Sequence, residues 1–190
     1  MKKRSISPST FLAPLPAALV TSRDTTGRAN IITVAWTGVV CSDPPMVSIS
    51  IRPSRYSHAA IRDSGEFVLN IPPADIVRKV DTCGILSGKN VDKFNEAGLT
   101  AVPAEKVSAP LIEECTVSLE CRVTEIVPLG IHDLFLAEVV STHVAEEALD
   151  ADDTIHLERI NPLGYAPLDR TYRAIGDALG SYGYSRKNRE

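Results

Sequence analysis

Four residues that could bind an anion lie close together in the sequence: Arg52, Arg55, Ser57 and His58. The pattern predicts that Ser57 caps a short helix running through Asp63, and a helix amino terminus presents free backbone amides with a partial positive charge. Two guanidinium groups and a hydroxyl beside such a terminus could bind a phosphate. A capping serine beside ordinary surface arginines is the alternative, and the spacing leaves both open.

A second group of polar residues lies on the strand predicted just before that turn. This strand alternates, with Ser48, Ser50 and Arg52 on one face and apolar residues on the other. Thr33 and Thr37 lie on a neighbouring predicted strand, and small hydroxyl side chains let a flat ring approach the backbone. The face therefore predicts a ligand surface, and a half-exposed antiparallel face without a ligand remains the alternative.

Two further side chains could take part in chemistry at such a surface. Trp36, the only tryptophan, could pack against an aromatic ligand, and a core or interface position is equally open to it. His132 lies in a turn before an apolar strand, where it could contact a nucleotide, transfer a proton or be structural. His143 and His156 have no carboxylate pattern around them, so we assign no metal site. No nucleophile motif such as GxSxG is present.

Apolar periodicity predicts the elements that must position these residues, and most of them are short strands. The predicted strands are Ala17–Ser22, Asn30–Trp36, Met46–Arg52, Glu66–Ile71, Cys115–Thr124 and Leu134–Val144. Helices are predicted up to a stop at Gly65, from Asp75 onward, over Val91–Ala97 before Gly98, and over Tyr172–Leu179. The acidic run Glu146–Asp153 is predicted to be a solvated connection.

These elements predict a mainly β fold with short helical insertions. Strands and helices do not alternate regularly, which argues against a doubly wound parallel sheet and favours an antiparallel barrel or sandwich. No GxGxxG follows the first strand, so a Rossmann site has no support. At 190 residues the chain is long enough for one domain with a sizeable core.

Charge and composition argue against several other classes. The net charge of −4, with basic clusters only near the termini, gives no face for nucleic acid. Prolines interrupt the apolar run near the amino terminus, and no stretch is long enough to cross a bilayer. The four cysteines form no CxxC pair, which favours buried thiols in a reducing compartment. We therefore expect a cytoplasmic protein without a nucleic-acid or membrane partner.

The order of motifs resembles the flavin reductase-like family, specifically its flavoredoxin-like branch. The matching segments are PLPAALVTS (14–22), NIITVAWTGVVCSDPPMVSISI (30–51), RYSHAAIRDSGEFVLNIP (55–72), CGILSGKNVDKFNEAGLT (83–100) and HDLFLAEVV (132–140). The resemblance implies the antiparallel FMN-binding split barrel, of Greek-key type. We expect one such domain over residues 1–190, with a core at about 14–145 and a carboxy-terminal extension at about 154–190.

The resemblance also implies which residues hold FMN. The segment Thr33, Val34, Ala35, Trp36 and Thr37 is expected along the isoalloxazine ring. Ser48, Ser50 and Arg52 are expected along the ribityl chain and ring edge, and Arg55, Ser57 and His58 near the phosphate. Ser87, Lys89 and Lys93, in the SGKNVDKF loop, are expected to come close to the cofactor.

Similar proteins usually form homodimers and pass electrons from NADH or NADPH to flavin, or hold FMN as an electron carrier. We therefore expect an FMN-binding oxidoreductase in which His132 contacts the nicotinamide side. Many NADH-dependent flavin reductases carry Gly-Asp-His at this turn, but here it reads Gly130-Ile131-His132. This departure keeps open an electron carrier that a partner protein reduces and that has no nicotinamide site. A non-redox binding module is a third possibility.

Overall fold

The computed structural model describes residues 1–186, in which short antiparallel strands dominate. The strands are β1 (Leu15–Pro16), β2 (Ala18–Arg23), β3 (Ala29–Val34), β4 (Thr37–Ser42), β5 (Pro45–Ile51), β6 (Glu66–Ile71), β7 (Ala101–Val102), β8 (Leu111–Ile112), β9 (Val117–Pro128), β10 (Asp133–Val144), β11 (Leu163–Ala166) and β12 (Thr171–Ala174). The helices are α1 (Tyr56–Ser64), α2 (Val77–Ile85), α3 (Lys93–Ala97) and α4 (Leu157–Ile160), with 3₁₀ turns at Ala74–Ile76, Glu146–Ala148 and Tyr184–Arg186. No helix in this described part is long and apolar enough to span a bilayer.

Seven strands form one antiparallel sheet in the order β3-β2-β6-β9-β10-β5-β4. The two end strands, β3 and β4, are joined by Ala35 and Trp36 alone, so the sheet curls until its ends lie next to each other. The Ser50 N–H donates to the carbonyl of Trp36 at 2.8 Å, which extends the β4–β5 pairing. The mainly β, antiparallel split barrel predicted from the sequence is confirmed. The alternation of β5 follows from this arrangement, because Val47, Ile49 and Ile51 are buried in the barrel core with Phe135.

A second core lies between the sheet and the helices. Leu19 and Ile31 from the sheet pack there with Val80 from α2 and Phe94 from α3. Leu163 from β11 joins the same cluster, so the carboxy-terminal part of the chain covers apolar surface of the barrel. The predicted division into a core and an extension stays a prediction.

The carboxy-terminal segment corrects one expectation. A helix over Tyr172–Leu179 was predicted, but β12 occupies its first part, and residues 175–180 form no helix. Tyr172 lies directly opposite Tyr165 of β11, which in turn pairs with β1. Threonine and tyrosine favour strands, and cross-strand pairing outweighs the weak helical periodicity of this short segment.

Two further expectations about the segment before α1 are wrong. The sequence predicts no strand between Trp36 and Met46, whereas Thr37–Ser42 forms β4 and pairs with β5 as a hairpin. Ser57 does not cap α1, because the capping position is Arg55, which makes no side-chain cap. The predicted stops at Gly65 and Gly98 are confirmed, and both glycines have the left-handed conformation of helix ends.

Strand β9 is present as predicted, but part of its polar face is buried. The Glu120 carboxylate is fully buried and accepts backbone N–H groups from Glu105, Lys106 and Val107. It also contacts Nε2 of His143 at 2.6 Å. Burial alone would raise the pKa of Glu120, but these hydrogen bonds hold the pKa below its ordinary value. One carboxylate therefore anchors the loop at residues 105–107 to the barrel.

Candidate functional site

Two adjoining cavities open between the barrel, α1 and α2. The larger has a volume of about 410 Å³ and the smaller about 70 Å³. Ile32, Arg55 and Gly84 line both cavities, so one ligand could extend from the first into the second. The larger volume lies within the range of small-molecule sites.

The stretch that follows β3 forms one wall of the large cavity. Thr33, Val34, Ala35 and Trp36 all line it. The Thr33 hydroxyl donates to the backbone carbonyl of Val80. This hydroxyl therefore holds β3 against α2, and the wall that faces the cavity is left with backbone groups and apolar atoms.

The opposite rim carries the imidazole of His132. Arg52 Nε donates to His132 Nε2 at 3.4 Å, and the ring lies nearly parallel to that of Trp36, with centroids 6.4 Å apart and an interplanar angle of 8°. Burial and, to a lesser degree, the neighbouring Arg52 guanidinium hold the pKa of His132 below its ordinary value. A neutral imidazole suits this geometry, because a protonated Nε2 could not accept from Arg52.

The small cavity is lined mainly by polar and cationic groups. Ser57, in the first turn of α1, accepts a hydrogen bond from Asn30 Nδ2 at 2.7 Å. Lys93 is buried, and its Nζ donates to the carbonyl of Cys83 at 2.7 Å. Burial lowers the pKa of Lys93 to about 8, with a smaller lowering by Arg55 and an opposing effect of Cys83. Further N–H groups of Lys93 remain free to bind an anion in the cavity.

The structure brings together eleven of the fifteen residues predicted for the site. Those lining one or both cavities are Thr33, Val34, Ala35, Trp36, Ser50, Arg52, Arg55, Ser57, Ser87, Lys93 and His132. The roles assigned to them stay predictions.

The other four predicted residues line neither cavity. The Thr37 hydroxyl donates to the carbonyl of Ser48 at 2.7 Å, so these two residues hold β4 to β5. His58 is buried, and its Nε2 contacts Asp133 Oδ2 at 2.7 Å. Lys89 is exposed on the loop after α2.

Several lining residues were not predicted from the sequence. Asp81, Gly84 and Ile85 present one face of α2 to the large cavity, and Tyr165 and Tyr172 approach it from β11 and β12. The spacing of the three α2 residues is helical, and a glycine within the predicted helix is a signal of close approach. No sequence signal located the two tyrosines, because they depend on pairing between the two ends of the chain.

The chemistry of the two cavities differs. The large one has aromatic side chains and exposed backbone along its walls, which suits a flat heteroaromatic ring. The small one combines a guanidinium, a buried ammonium and a helix start, which suits a phosphate. Within residues 1–186, no group of three or more His, Cys, Asp or Glu side chains could hold a metal ion.

The chain is similar to known proteins in both sequence and structure. Residues 11–176 match the family model of the flavin reductase like domain. The structure of flavoredoxin from Desulfovibrio vulgaris (Miyazaki F) is similar with a TM-score of 0.91 and 34% identity, over 97% of this chain and 100% of that chain. Flavoredoxin from Methanosarcina acetivorans has a TM-score of 0.91 and 29% identity, over 98% of both chains. An uncharacterised protein of Archaeoglobus fulgidus is 34% identical over 140 residues, which are 74% of this chain and 78% of its own.

Proposed function

We propose, because this chain belongs to the flavin reductase-like domain family, that it binds FMN in the two adjoining cavities and passes electrons through it. The observation that carries the proposal is the junction of a ring-sized cavity with a small cationic one at Arg55 and Gly84. A flavin mononucleotide carries a flat heteroaromatic ring at one end and a phosphate at the other, which match the two cavities. When bound, FMN would supply the redox chemistry, and the protein would supply binding, orientation and electrostatics.

Each cavity would bind a different part of FMN. Arg55, Ser57 and Lys93 would bind the phosphate, and the free N–H groups at the start of α1 would add a partial positive charge. The backbone from Thr33 to Trp36 would lie along the ring, because the Thr33 hydroxyl is already bonded to α2. Arg52 and His132 lie at the rim, where they would contact the ring edge or a second reactant.

The phosphate assignment is tested by comparing FMN with riboflavin, which lacks the phosphate. Arg55→Ala should weaken FMN binding by about tenfold or more and leave riboflavin binding nearly unchanged, since a charge-assisted hydrogen bond contributes about 1.5–3 kcal/mol. Arg62→Ala is the matched control, because Arg62 is an exposed arginine of the same helix paired with Asp63. Equal weakening of both flavins by Arg55→Ala would contradict the phosphate placement. Absence of flavin bands after loading and desalting would contradict FMN binding itself.

We propose further that NADH or NADPH delivers electrons to the flavin, with His132 as the contact on the nicotinamide side. The neutral imidazole at the cavity rim supports this role, since it offers a hydrogen bond without adding charge. A rapid-mixing experiment under anaerobic conditions would follow bleaching of the flavin band by each nicotinamide. Bleaching by NADH or NADPH that slows in His132→Ala, with FMN binding unchanged, is the expected result.

An electron carrier reduced by a partner protein is the second candidate function. Ile131 in place of the aspartate found in many nicotinamide-dependent relatives favours it, as does the similarity to two flavoredoxins. Under the same anaerobic conditions, a carrier would be reduced by a ferredoxin-type protein donor and not by either nicotinamide. That result would refute the nicotinamide-dependent reaction and retain the FMN site.

We also propose that the protein is a cytoplasmic homodimer. Strand β4 is an edge of the seven-stranded sheet, and its Val39 and Val40 are 79% and 50% exposed. Exposed edge strands with apolar residues pair readily with a second chain, which supports a dimer through this edge. The four cysteines are all unpaired, which supports a reducing compartment. Sedimentation measures the oligomeric state, and cell fractionation measures the location.

A further inference from the structure

A buried pair of side chains lies behind the rim of the large cavity. His58 Nε2 lies 2.7 Å from Asp133 Oδ2, and the two side chains are 6% and 19% exposed. The pair joins the first turn of α1 to the first residue of β10, which follows His132 directly. Neither His58 nor Asp133 lines a cavity, so any effect of the pair on the site must act through a neighbouring residue.

The direction of the side chains shows which neighbour this is. Successive side chains of a strand point to opposite faces. Asp133 shares a face with Phe135, which is fully buried in the barrel core, and the His58 ring packs edge-on against Phe135 with centroids 5.2 Å apart. His132 lines the large cavity on the other side. Asp133 is therefore the last inward-facing residue of β10 before the turn that carries His132.

The turn itself has few contacts that could hold His132 in place. Leu129 and Ile131 are 55% and 68% exposed, and a backbone hydrogen bond from the Leu129 N–H to the His132 carbonyl closes the turn at 2.8 Å. Segments with little buried apolar surface open locally at low cost. The contact between His58 and Asp133 thus supplies a buried attachment that the exposed turn lacks.

The contacts of the His132 side chain are also weak. Asp133 pairs with Ile51 in the sheet, which brings the next residue, Arg52, beside His132 at the rim. The hydrogen bond from Arg52 Nε to His132 Nε2 is 3.4 Å long, beyond the usual range for such bonds. The ring centroids of His132 and Trp36 are 6.4 Å apart. Neither contact fixes the imidazole by itself.

We propose that His58 and Asp133 are positioning residues, which hold His132 beside Arg52 and parallel to Trp36 at the cavity rim. They act from inside the barrel and touch no ligand. Their effect on electron transfer rests on the proposed function, because it acts through His132. The geometry that they maintain depends only on residues of this chain, so it can be measured without flavin or nicotinamide.

The first test uses the fluorescence of Trp36, the only tryptophan, in flavin-free protein. A protonated imidazole quenches a neighbouring indole more strongly than a neutral one does. The part of the acid quenching that His132→Ala removes therefore reports the stacked imidazole. Other charged or titratable groups lining this cavity are Arg52, Arg55, Asp81, Tyr165 and Tyr172. All of them are retained in the variants compared below.

Two substitutions of Asp133 separate geometry from charge. Asp133→Asn and Asp133→Ala remove the same charge, but only asparagine keeps an oxygen that accepts from His58 Nε2. Asp133→Asn should retain the quenching by His132. Asp133→Ala should weaken it and move its midpoint upward towards the ordinary histidine value of about 6.5, because the released imidazole is less buried. Asp63→Ala is the control, since it removes an exposed carboxylate of α1 that pairs with Arg62.

The second test follows bleaching of the flavin band by NADH or NADPH in protein saturated with FMN. Asp133→Ala should slow bleaching, and Asp133→Asn should restore most of the rate. In a His132→Ala background, Asp133→Ala should slow bleaching no further, since two residues that act through one contact are not additive. A merely structural role of Asp133 would slow bleaching in both backgrounds.

The positioning role and the proposed function fail in distinguishable ways. Equal quenching in Asp133→Asn and Asp133→Ala, or acid quenching that His132→Ala does not change, would overturn the positioning role while flavin bands still support FMN binding. Further slowing in the double variant would also overturn it. No bleaching by either nicotinamide, with the quenching difference retained, would refute the nicotinamide reaction and support the positioning role.

A variant that removes the whole pair covers the case in which Asp133→Ala does not fold. His58→Leu combined with Asp133→Leu leaves no buried charge without a partner, and replacing a buried pair by apolar residues is often neutral for stability. The quenching by His132 should weaken in this double variant as well. Quenching equal to that of the unsubstituted protein would overturn the positioning role.

Discussion

The loop between α2 and α3 approaches the barrel so closely that a single added methyl group should disturb the candidate site. Gly88 lines the small cavity, and a Cβ built on it would lie 2.0 Å from Oδ1 and 2.8 Å from Cγ of Asn30. It would also lie 2.9 Å from Cδ1 of Tyr56. Asn30 is buried and donates to Ser57, so the side chain has little room to move. Gly88→Ala must therefore displace the loop or break this hydrogen bond.

The magnitude follows from these contacts. Forcing an extra carbon into a packed site costs about 1–3 kcal/mol, and loss of the Asn30–Ser57 hydrogen bond adds about 1 kcal/mol. We expect the free energy of unfolding to fall by about 2–4 kcal/mol. FMN affinity should fall by at least about tenfold, because Asn30, Ser57 and Gly88 line the proposed phosphate cavity.

The assay is urea unfolding of the flavin-free protein, followed by an FMN titration of each variant under folding conditions. Gly176→Ala is the matched control, since its Cβ would have no heavy atom within 4 Å and its φ is not left-handed. Gly84→Ala is an intermediate case, because its Cβ would lie 3.3 Å from Cβ of Thr33 while alanine improves the propensity of α2. A Gly88→Ala protein as stable as the control, with unchanged FMN affinity, would refute the close approach of the loop to Asn30.

Three other perturbations have expected outcomes. Because the folded-state pKa of Lys93 is lowered to about 8, the unfolded chain binds more protons between pH 8 and about 10.4, and the free energy of unfolding of the flavin-free protein should rise over that range. FMN affinity should fall over the same range, because Lys93 loses its positive charge. Lys93→Met should flatten both pH profiles, which urea unfolding and FMN titration measure. Glu120→Gln should lower the free energy of unfolding at pH 7 by about 3 kcal/mol, because the ionised carboxylate holds its hydrogen bonds more strongly than an amide would. The variant should also lose less stability below about pH 4.3, since a lowered pKa stabilises the fold only while the carboxylate stays ionised. Equal unfolding profiles of the two proteins from pH 3 to 7 would contradict this. In the proposed dimer through β4, Val39→Lys should favour the monomer in sedimentation, whereas Leu157→Lys, at another exposed apolar position, should not.

The strands could be predicted from the sequence because they carry their own signals, whereas the choice of a split barrel over a sandwich came from the resemblance to the family. Alternation in β5 and β9, and glycine stops at Gly65 and Gly98, depend on local geometry that the sequence encodes directly. The strand β4 escaped prediction because its valines are exposed on an edge, so their pattern does not report burial. The helix expected at Tyr172 failed because pairing with β11 is a contact between distant parts of the chain.

The residues of the candidate site divide in the same way, into those with a local sequence signal and those that depend on contacts between distant parts of the chain. Arg55, Ser57 and Lys93 could be found because they accompany motifs around one helix start and one loop. His58 was placed near the phosphate by its neighbours in sequence, but its side chain contacts Asp133 on β10. The wall formed by Asp81 and Tyr172 could not be found, because it exists only when α2 and the terminal strands pack together.

The small sheet of β1, β11 and β12 joins the two ends of the chain beside the large cavity. Ala17, next to β1, and Tyr172 on β12 both line that cavity. A ligand that contacts both would oppose local opening of this sheet, since opening would destroy part of the binding surface. Proteases attack locally opened chains, so the lifetime of the protein in the cell would follow its occupancy. The supply of cofactor would then set not only the activity but also the abundance of the protein.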